Sequence, residues 1–193
     1  MGLFTGDDVW NGGFYELALE YRRGDVPGLV DGLAAVWRAN AVAGCYLACE
    51  REPEDQRRAE FEPSLPFEGH LYGVATLPAG QAVACGTCCI REENGADWLV
   101  FYVPMGALGS VYPVRGFPFD EGDHGSWQRE LDAWLTDLGH EVFGTAPFRI
   151  GLIGFETSGE LGADDVLKAG VPAKRHCAVL IPNASTLVLH PRP

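Results

Sequence analysis

Residues 70–103 read HLYGVATLPAGQAVACGTCCIREENGADWLVFYV, a stretch in which two turn signals separate three apolar runs. Pro78-Ala79-Gly80 suits a type I turn closed by a left-handed glycine. Asn94-Gly95 is typical of a type I′ hairpin turn, which needs two residues that tolerate positive φ. The sequence therefore predicts a three-stranded antiparallel meander. Its strands are His70–Leu77, Gln81–Arg91 and Asp97–Val103.

The two turns also predict which residues of neighbouring strands lie opposite each other. In the first hairpin Val74 should pair with Ala84, and in the second Ile90 should pair with Leu99. Side chains alternate between the faces of a sheet, so a shift of one residue would move every side chain to the other face. The predicted register therefore decides which side chains can form a site.

This register places His70 opposite Cys88, and Cys88 opposite Phe101. A thiolate beside an imidazole is a common arrangement for a cysteine nucleophile, so His70 and Cys88 are the candidate catalytic pair. The alternative is a buried histidine beside an inert thiol, because an apolar face raises the pKa of a thiol. Both interpretations depend on the register.

The rest of the chain alternates strand and helix signals. Glu16 and Glu20 alternate with apolar residues, as in a strand that exposes one face to water. Asp25 can cap a first helix, and a long helix follows in which Asp132 faces water. The further predicted elements are strands at 15–21, 41–49, 148–155, 177–181 and 186–190, and helices at 127–142 and 163–169.

These elements predict one α+β domain over 1–193. We expect a largely antiparallel mixed sheet of about eight strands, with about three helices packed mainly on one face. A chain of 193 residues with 47% hydrophobic residues can bury a core without a metal or a disulfide. The segments 50–68 and 104–125 are predicted connections.

Composition restricts the class of partner. The net charge is −13, which argues against nucleic acid and anionic membranes because phosphate binding needs a basic face. No apolar run approaches the roughly 18 residues of a membrane span, and the start lacks a signal peptide, so we expect a cytoplasmic protein. The charge permits a basic protein partner or a cationic ligand, or it serves solubility alone.

Acidic residues are dense in two predicted loops, over 50–68 and 120–123. Loops lie on the surface, so these acids are candidates for binding a basic partner. They are Glu52, Glu54, Asp55, Asp120, Glu121 and Asp123.

No metal or cofactor is predicted. Cys85 and Cys88 have knuckle spacing, but they fall within one strand and should point to opposite faces. The glycines Gly154 and Gly159 have phosphate-loop spacing, yet Glu160 follows where a lysine is required. Trp10 and Asn11, in an aromatic turn of Trp-Asn-Gly-Gly, could contact a ligand or simply begin a strand.

The sequence favours a binding role over an enzymatic one. The first hypothesis is a regulatory or protein-binding module that docks or masks a basic partner, like small acidic bacterial proteins of similar composition. The alternatives are a thiol-dependent enzyme or small-molecule binder using Cys88 with His70, and a homodimer of structural role. The deciding observation is whether a pocket reaches the Cys88 face or the helix over 127–142 covers it.

Overall fold

A computed structural model describes residues 2–59, 69–92, 95–114 and 125–193. In these residues the strands are β1 (Phe14–Tyr21), β2 (Val42–Tyr46), β3 (Leu71–Thr76), β4 (Ala82–Arg91), β5 (Asp97–Pro104), β6 (Ile150–Phe155), β7 (Ala178–Asn183) and β8 (Thr186–His190). The helices are α1 (Val26–Arg38), α2 (Met105–Gly109), α3 (Gly125–Thr145) and α4 (Ala163–Ala169), with a 3₁₀ turn at Pro53–Asp55.

All eight strands form one sheet in the order β2-β3-β4-β5-β1-β6-β7-β8. Every neighbouring pair is antiparallel, so the α+β prediction is confirmed and the sheet is not mixed. The first strand lies in the middle of the sheet, between β5 and β6. The edges are β2 and β8.

Local sequence explains where the first helix begins. The Asp25 carboxylate accepts a hydrogen bond from Gly28 N at 3.1 Å, which satisfies one of the free donors of the first turn. Pro27 stands in that turn, where its missing N–H costs nothing. Leu29, Leu33 and other apolar residues of α1 are buried against the sheet.

The two faces of the sheet differ in what covers them. Leu17, Leu99 and Phe101 point to the face on which α1 and α3 pack, which we call the helical face. Ala18, Val100 and neighbouring apolar residues point to the opposite face, where α4 and the loop after β6 cover only part of the sheet. We call this second side the open face.

The register of the first hairpin is confirmed, and that of the second is wrong by one residue. Val74 lies opposite Ala84 as predicted. Ile90 pairs with Trp98 instead of Leu99, and Cys88 pairs with Val100 instead of Phe101. The β5 side chains beside Cys88 are therefore those that share a face with Val100, and not those that share a face with Phe101.

Two contacts account for the shifted register. The Glu92 N–H donates to Ala96 O at 3.1 Å, so three residues lie between these two partners, where the predicted turn has two residues. Next to them Arg91 lies opposite Asp97, and its guanidinium binds that carboxylate at 2.9 Å. Opposite charges on facing strands favour this pairing.

The connection predicted over 104–125 contains the short helix α2, which the glycines of this segment concealed. In the parts of the chain that the structure describes, no helix combines the length and the apolar composition needed to cross a bilayer.

Candidate functional site

A pocket of about 450 Å³ opens on the open face. Strands β1, β4 and β5 form its floor, and residues before β3 and after β6 form its sides. It is lined by Phe14, Glu16, Gly69, His70, Cys88, Cys89, Ile90, Val100, Tyr102, Glu156 and Ser158. We call it the Glu16 pocket. A pocket therefore reaches the side on which Cys88 lies, while α3 packs on the helical face.

Glu16 lies in the pocket floor with only 4% of its surface exposed. Its Oε1 accepts a hydrogen bond from Ser158 N at 2.7 Å. Burial raises the pKa of this carboxyl to about 7, although the hydrogen bonds from Ser158 and Thr157 act in the opposite direction. The nearby Glu156 carboxylate adds to the rise. Near neutral pH Glu16 is therefore poised between its two protonation states.

His70 and Tyr102 form a hydrogen-bonded pair in the pocket wall. The imidazole Nδ1 and the phenol oxygen are 2.6 Å apart. A side chain at Gly86 would collide with the Tyr102 hydroxyl, at 2.4 Å from its Cβ, so the glycine leaves room for the phenol to lie across β4. The Phe14 ring packs on the Tyr102 ring with 4.4 Å between centroids.

The structure places Cys88 and His70 in the same pocket, but it does not join them. The partner of the imidazole is Tyr102, and no hydrogen bond links the thiol to His70 within the described residues. Burial, together with the charge of Glu16, raises the pKa of the Cys88 thiol to about 12. At neutral pH such a thiol is protonated, so the arrangement opposes nucleophilic catalysis.

The two glutamates of β1 do not face water, contrary to the sequence-based prediction. Glu20 is 1% exposed, and it receives hydrogen bonds of 2.7 Å from Arg149 and from Ala163 N. Burial raises its pKa. Together Glu16 and Glu20 anchor the chain between β6 and α4 onto the sheet.

A second cleft, of about 710 Å³, lies beside Glu20 and Arg149.

One sequence signal indicates a layer on this side of the sheet, although it does not connect that layer to β1. The run over 148–155 has apolar side chains for both faces, which indicates a second layer on the face opposite the helices. Such a layer would bury the polar side of any neighbouring strand. Nothing in the sequence indicated that β6 neighbours β1, because that pairing joins distant segments.

The predicted partner-binding acids are used in different ways. The Glu52 carboxylate accepts hydrogen bonds from the Leu3, Phe4 and Thr5 amides, and from the Thr5 hydroxyl at 2.6 Å. These bonds, the hydroxyl first, lower its pKa. Glu54 and Asp55 are exposed. Asp120, Glu121 and Asp123 lie outside the described residues.

The predicted ligand turn is occupied by internal contacts. Trp10 Nε1 donates to Phe4 O at 2.9 Å, and its ring packs edge-on against Tyr72. The Asn11 side chain donates to Asp8 Oδ1 at 3.2 Å. Neither Trp10 nor Asn11 lines the Glu16 pocket.

The cysteines are dispersed as the strand pattern predicted. Cys85 points into the helical face, whereas Cys88 borders the pocket on the open face. All six cysteines are free thiols. Among the residues that the structure describes, no group of three or more His, Cys, Asp or Glu side chains is placed to hold a metal ion.

Comparisons with protein-family models, with curated proteins and with solved structures find no match to this chain.

Proposed function

We propose that this protein binds a small organic molecule in the Glu16 pocket. The observation that carries the proposal is the convergence of a buried carboxyl, the His70–Tyr102 pair and an apolar wall on one open cavity. Ligand sites are concave and mostly apolar, with a few polar groups that fix orientation. The cavity volume of about 450 Å³ lies in the range of such sites.

The pocket offers distinct interactions from its different walls. Phe14, Val100 and the Tyr102 ring supply apolar contacts. Glu16 and His70 supply hydrogen-bonding groups at the floor and rim. The protonated state of Cys88 makes it a weakly polar lining residue and not a nucleophile. We therefore propose binding without covalent chemistry.

A fragment screen by ligand-observed NMR tests this proposal. Cys88→Phe should fill the cavity and abolish the hits that the wild type binds. Val188→Phe places the same ring on the exposed edge strand β8 and should leave those hits unchanged. Circular dichroism checks that each variant folds.

A second filling variant guards against misfolding of the first. Ile90 lies at the pocket but is 41% exposed, so Ile90→Trp can narrow the entrance without disturbing the core. The proposal fails if the wild type binds no fragment. It also fails if folded Cys88→Phe and Ile90→Trp proteins retain every hit.

We also keep docking of a basic protein as a second candidate function. The net charge of −13 and the exposed Glu54 and Asp55 support it, because a negative surface accelerates encounter with a basic partner. The Glu54→Ser/Asp55→Ser variant should retain less protein in a pull-down at low salt, and moderate salt should remove the difference. Equal retention by the variant and the wild type would contradict this candidate.

Glu52 is left intact in that experiment, because its carboxylate holds the segment around Phe4. A cytoplasmic location, the absence of nucleic-acid binding and the homodimer alternative stay predictions from the sequence.

A further inference from the structure

We infer that the ligand of the Glu16 pocket carries a cationic amino group, which binds between the Glu16 and Glu156 carboxylates beside the aromatic wall. This inference rests on the proposed function and names the chemical class of the ligand.

The first support is the charge of the lining. Two carboxylates, Glu16 and Glu156, line the pocket, and the described lining residues include no lysine or arginine. An anionic ligand would therefore meet negative charge with no compensating cation. Chain-wide acidity does not by itself exclude arginine from a lining, since the cleft beside Glu20 has Arg22, Arg23 and Arg149 together with four acidic residues.

The second support is that the Glu16 carboxylate and the backbone of Glu156 are held in place. Glu16 is held by Ser158 N at 2.7 Å. The Glu156 N–H donates to Phe14 O at 3.0 Å, which fastens the same loop to the start of β1. Glu156 adopts a φ of 48°, in the left-handed region that residues other than glycine seldom occupy. A Cβ on Gly13 would lie 2.6 Å from Glu156 Oε1, so the glycine makes room for this carboxylate.

The third support is the aromatic wall. The Phe14 and Tyr102 ring centroids lie 4.4 Å apart with the ring planes tilted by 49°, and Tyr102 lies directly opposite Glu16 in the paired strand. A cation near aromatic rings and carboxylates is attracted by both. A neutral ligand would gain from the rings but not from the two negative groups.

Binding of a cation should also release a proton. The pKa of Glu16 is about 7, and a bound ammonium group favours the ionised carboxyl. The titratable groups that face Glu16 are Glu156 from the loop, Cys88 from β4, Tyr102 from β5 and His70 before β3. His70 lies in the same pocket, so a Glu16 variant must show which part of the pH dependence belongs to Glu16.

Three probes of similar shape and different charge test the inference on the full chain. They are benzylamine, benzyl alcohol and benzoate, with affinities measured by NMR titration at pH 6 and pH 8. We expect benzylamine to bind at least about tenfold more tightly than either other probe, and about five- to tenfold more tightly at pH 8 than at pH 6.

Variants locate the effect. Glu16→Gln should remove most of the benzylamine affinity and of its pH dependence. Glu156 is exposed, so Glu156→Gln keeps the fold and should weaken benzylamine by about two- to fivefold even if the Glu16 variant does not fold. The matched control Glu54→Gln removes an exposed acid elsewhere and should change nothing.

Three results would contradict the inference, and they separate its failure from failure of the proposed function. Equal binding of benzyl alcohol or benzoate in the pocket overturns the inference and leaves the proposed function standing. Full benzylamine affinity in the Glu156→Gln variant overturns it as well. Absence of binding by all three probes overturns the inference, and the fragment screen then decides the proposed function separately.

Discussion

Burial of the Glu16 carboxyl makes the free energy of unfolding depend on pH. The pKa of Glu16 rises from 4.5 to about 7 on folding, so the folded protein keeps a proton that the unfolded chain has released. The free energy of unfolding should therefore be highest below pH 4.5 for this group and fall until about pH 7. The loss amounts to about 3 kcal/mol.

Glu16→Gln should remove this loss. The free energy of unfolding of the variant, minus that of the wild type, should therefore be larger at pH 8 than at pH 5. Urea unfolding of both proteins at the two pH values measures this difference. Glu54→Gln, which removes an exposed acid, serves as the control. Identical pH slopes for the wild type and Glu16→Gln would show that burial does not perturb this carboxyl.

The reactivity of Cys88 supplies a second prediction. Its thiol has a pKa of about 12 in the folded protein, against about 8.5 for a free thiol. Iodoacetamide should therefore label native Cys88 slowly at pH 7, and the rate should still be rising at pH 10. Mass spectrometry of peptides over a pH series measures this. A native midpoint below the free-thiol value would revive the thiol-enzyme hypothesis.

The register of the first hairpin predicted that His70 lies opposite Cys88, and both residues line the Glu16 pocket, but the alternation in β1 gave the wrong role to its glutamates. Glu16 and Glu20 alternate with apolar residues in the way that a solvent-facing side does. Their burial depends on a layer contributed by residues after β6, which no local pattern connects to β1. Periodicity describes one strand at a time, so it could not supply this.

At the scale of elements, the two hairpins show when a turn signal suffices. In the first, Gly80 has a φ of 88° and its N–H donates to Leu77 O, as a left-handed closing residue requires. In the second, the Asn-Gly signal favours a two-residue turn, and the Arg91–Asp97 pair favours the register that is observed. The opposite charges of Arg91 and Asp97 are visible in the sequence, and their attraction favours the observed register over the register of a two-residue turn.

The long helix α3 has one charged residue in an unexpected position. Asp132 does not face water: its carboxylate binds the Tyr15 hydroxyl at 2.5 Å and the Arg192 guanidinium at 3.1 Å. Only 13% of its side chain is exposed, and burial raises its pKa. These contacts tie β1, α3 and the segment after β8 together.

Arg192→Ala should therefore destabilise the protein. The variant leaves the Asp132 carboxylate poorly solvated without its cation, and we expect a loss of about 1–3 kcal/mol in the free energy of unfolding. Arg129→Ala removes an exposed arginine from α3 and should cost less than about 0.5 kcal/mol. Chemical denaturation of both variants at pH 7 compares them; equal stabilities would mean that the contact with Arg192 adds nothing.

For the whole molecule, the strand order predicts a gradient of local stability. The central strands β5, β1 and β6 are paired on both sides and buried, whereas β8 is an edge with Val188 and Leu189 exposed. Amides of β1 should exchange with deuterium last, and those on the free side of β8 first. Hydrogen exchange followed by mass spectrometry measures this order, and early exchange in β1 would contradict it.

The fold class was predictable because it depends on the number and kind of elements, which local periodicity indicates. The pocket was not, because it is assembled from residues of β1, of the central meander and of the loop after β6, which are far apart in the sequence. Glu16 and Ser158 meet through one hydrogen bond, and only the strand order brings them together. The site could not be predicted from one sequence because local patterns do not show which distant strands pair.

The central place of β1 has a consequence for how the chain is made. Leu17 pairs with Phe101 on one side and with Ile153 on the other, so the strand leaves the ribosome long before either partner exists. Such distant pairings fold slowly and leave apolar segments exposed meanwhile. The nascent chain must therefore carry an unpartnered apolar strand until Phe101 and Ile153 have been translated, and a chaperone that shields β1 should raise the yield of native protein.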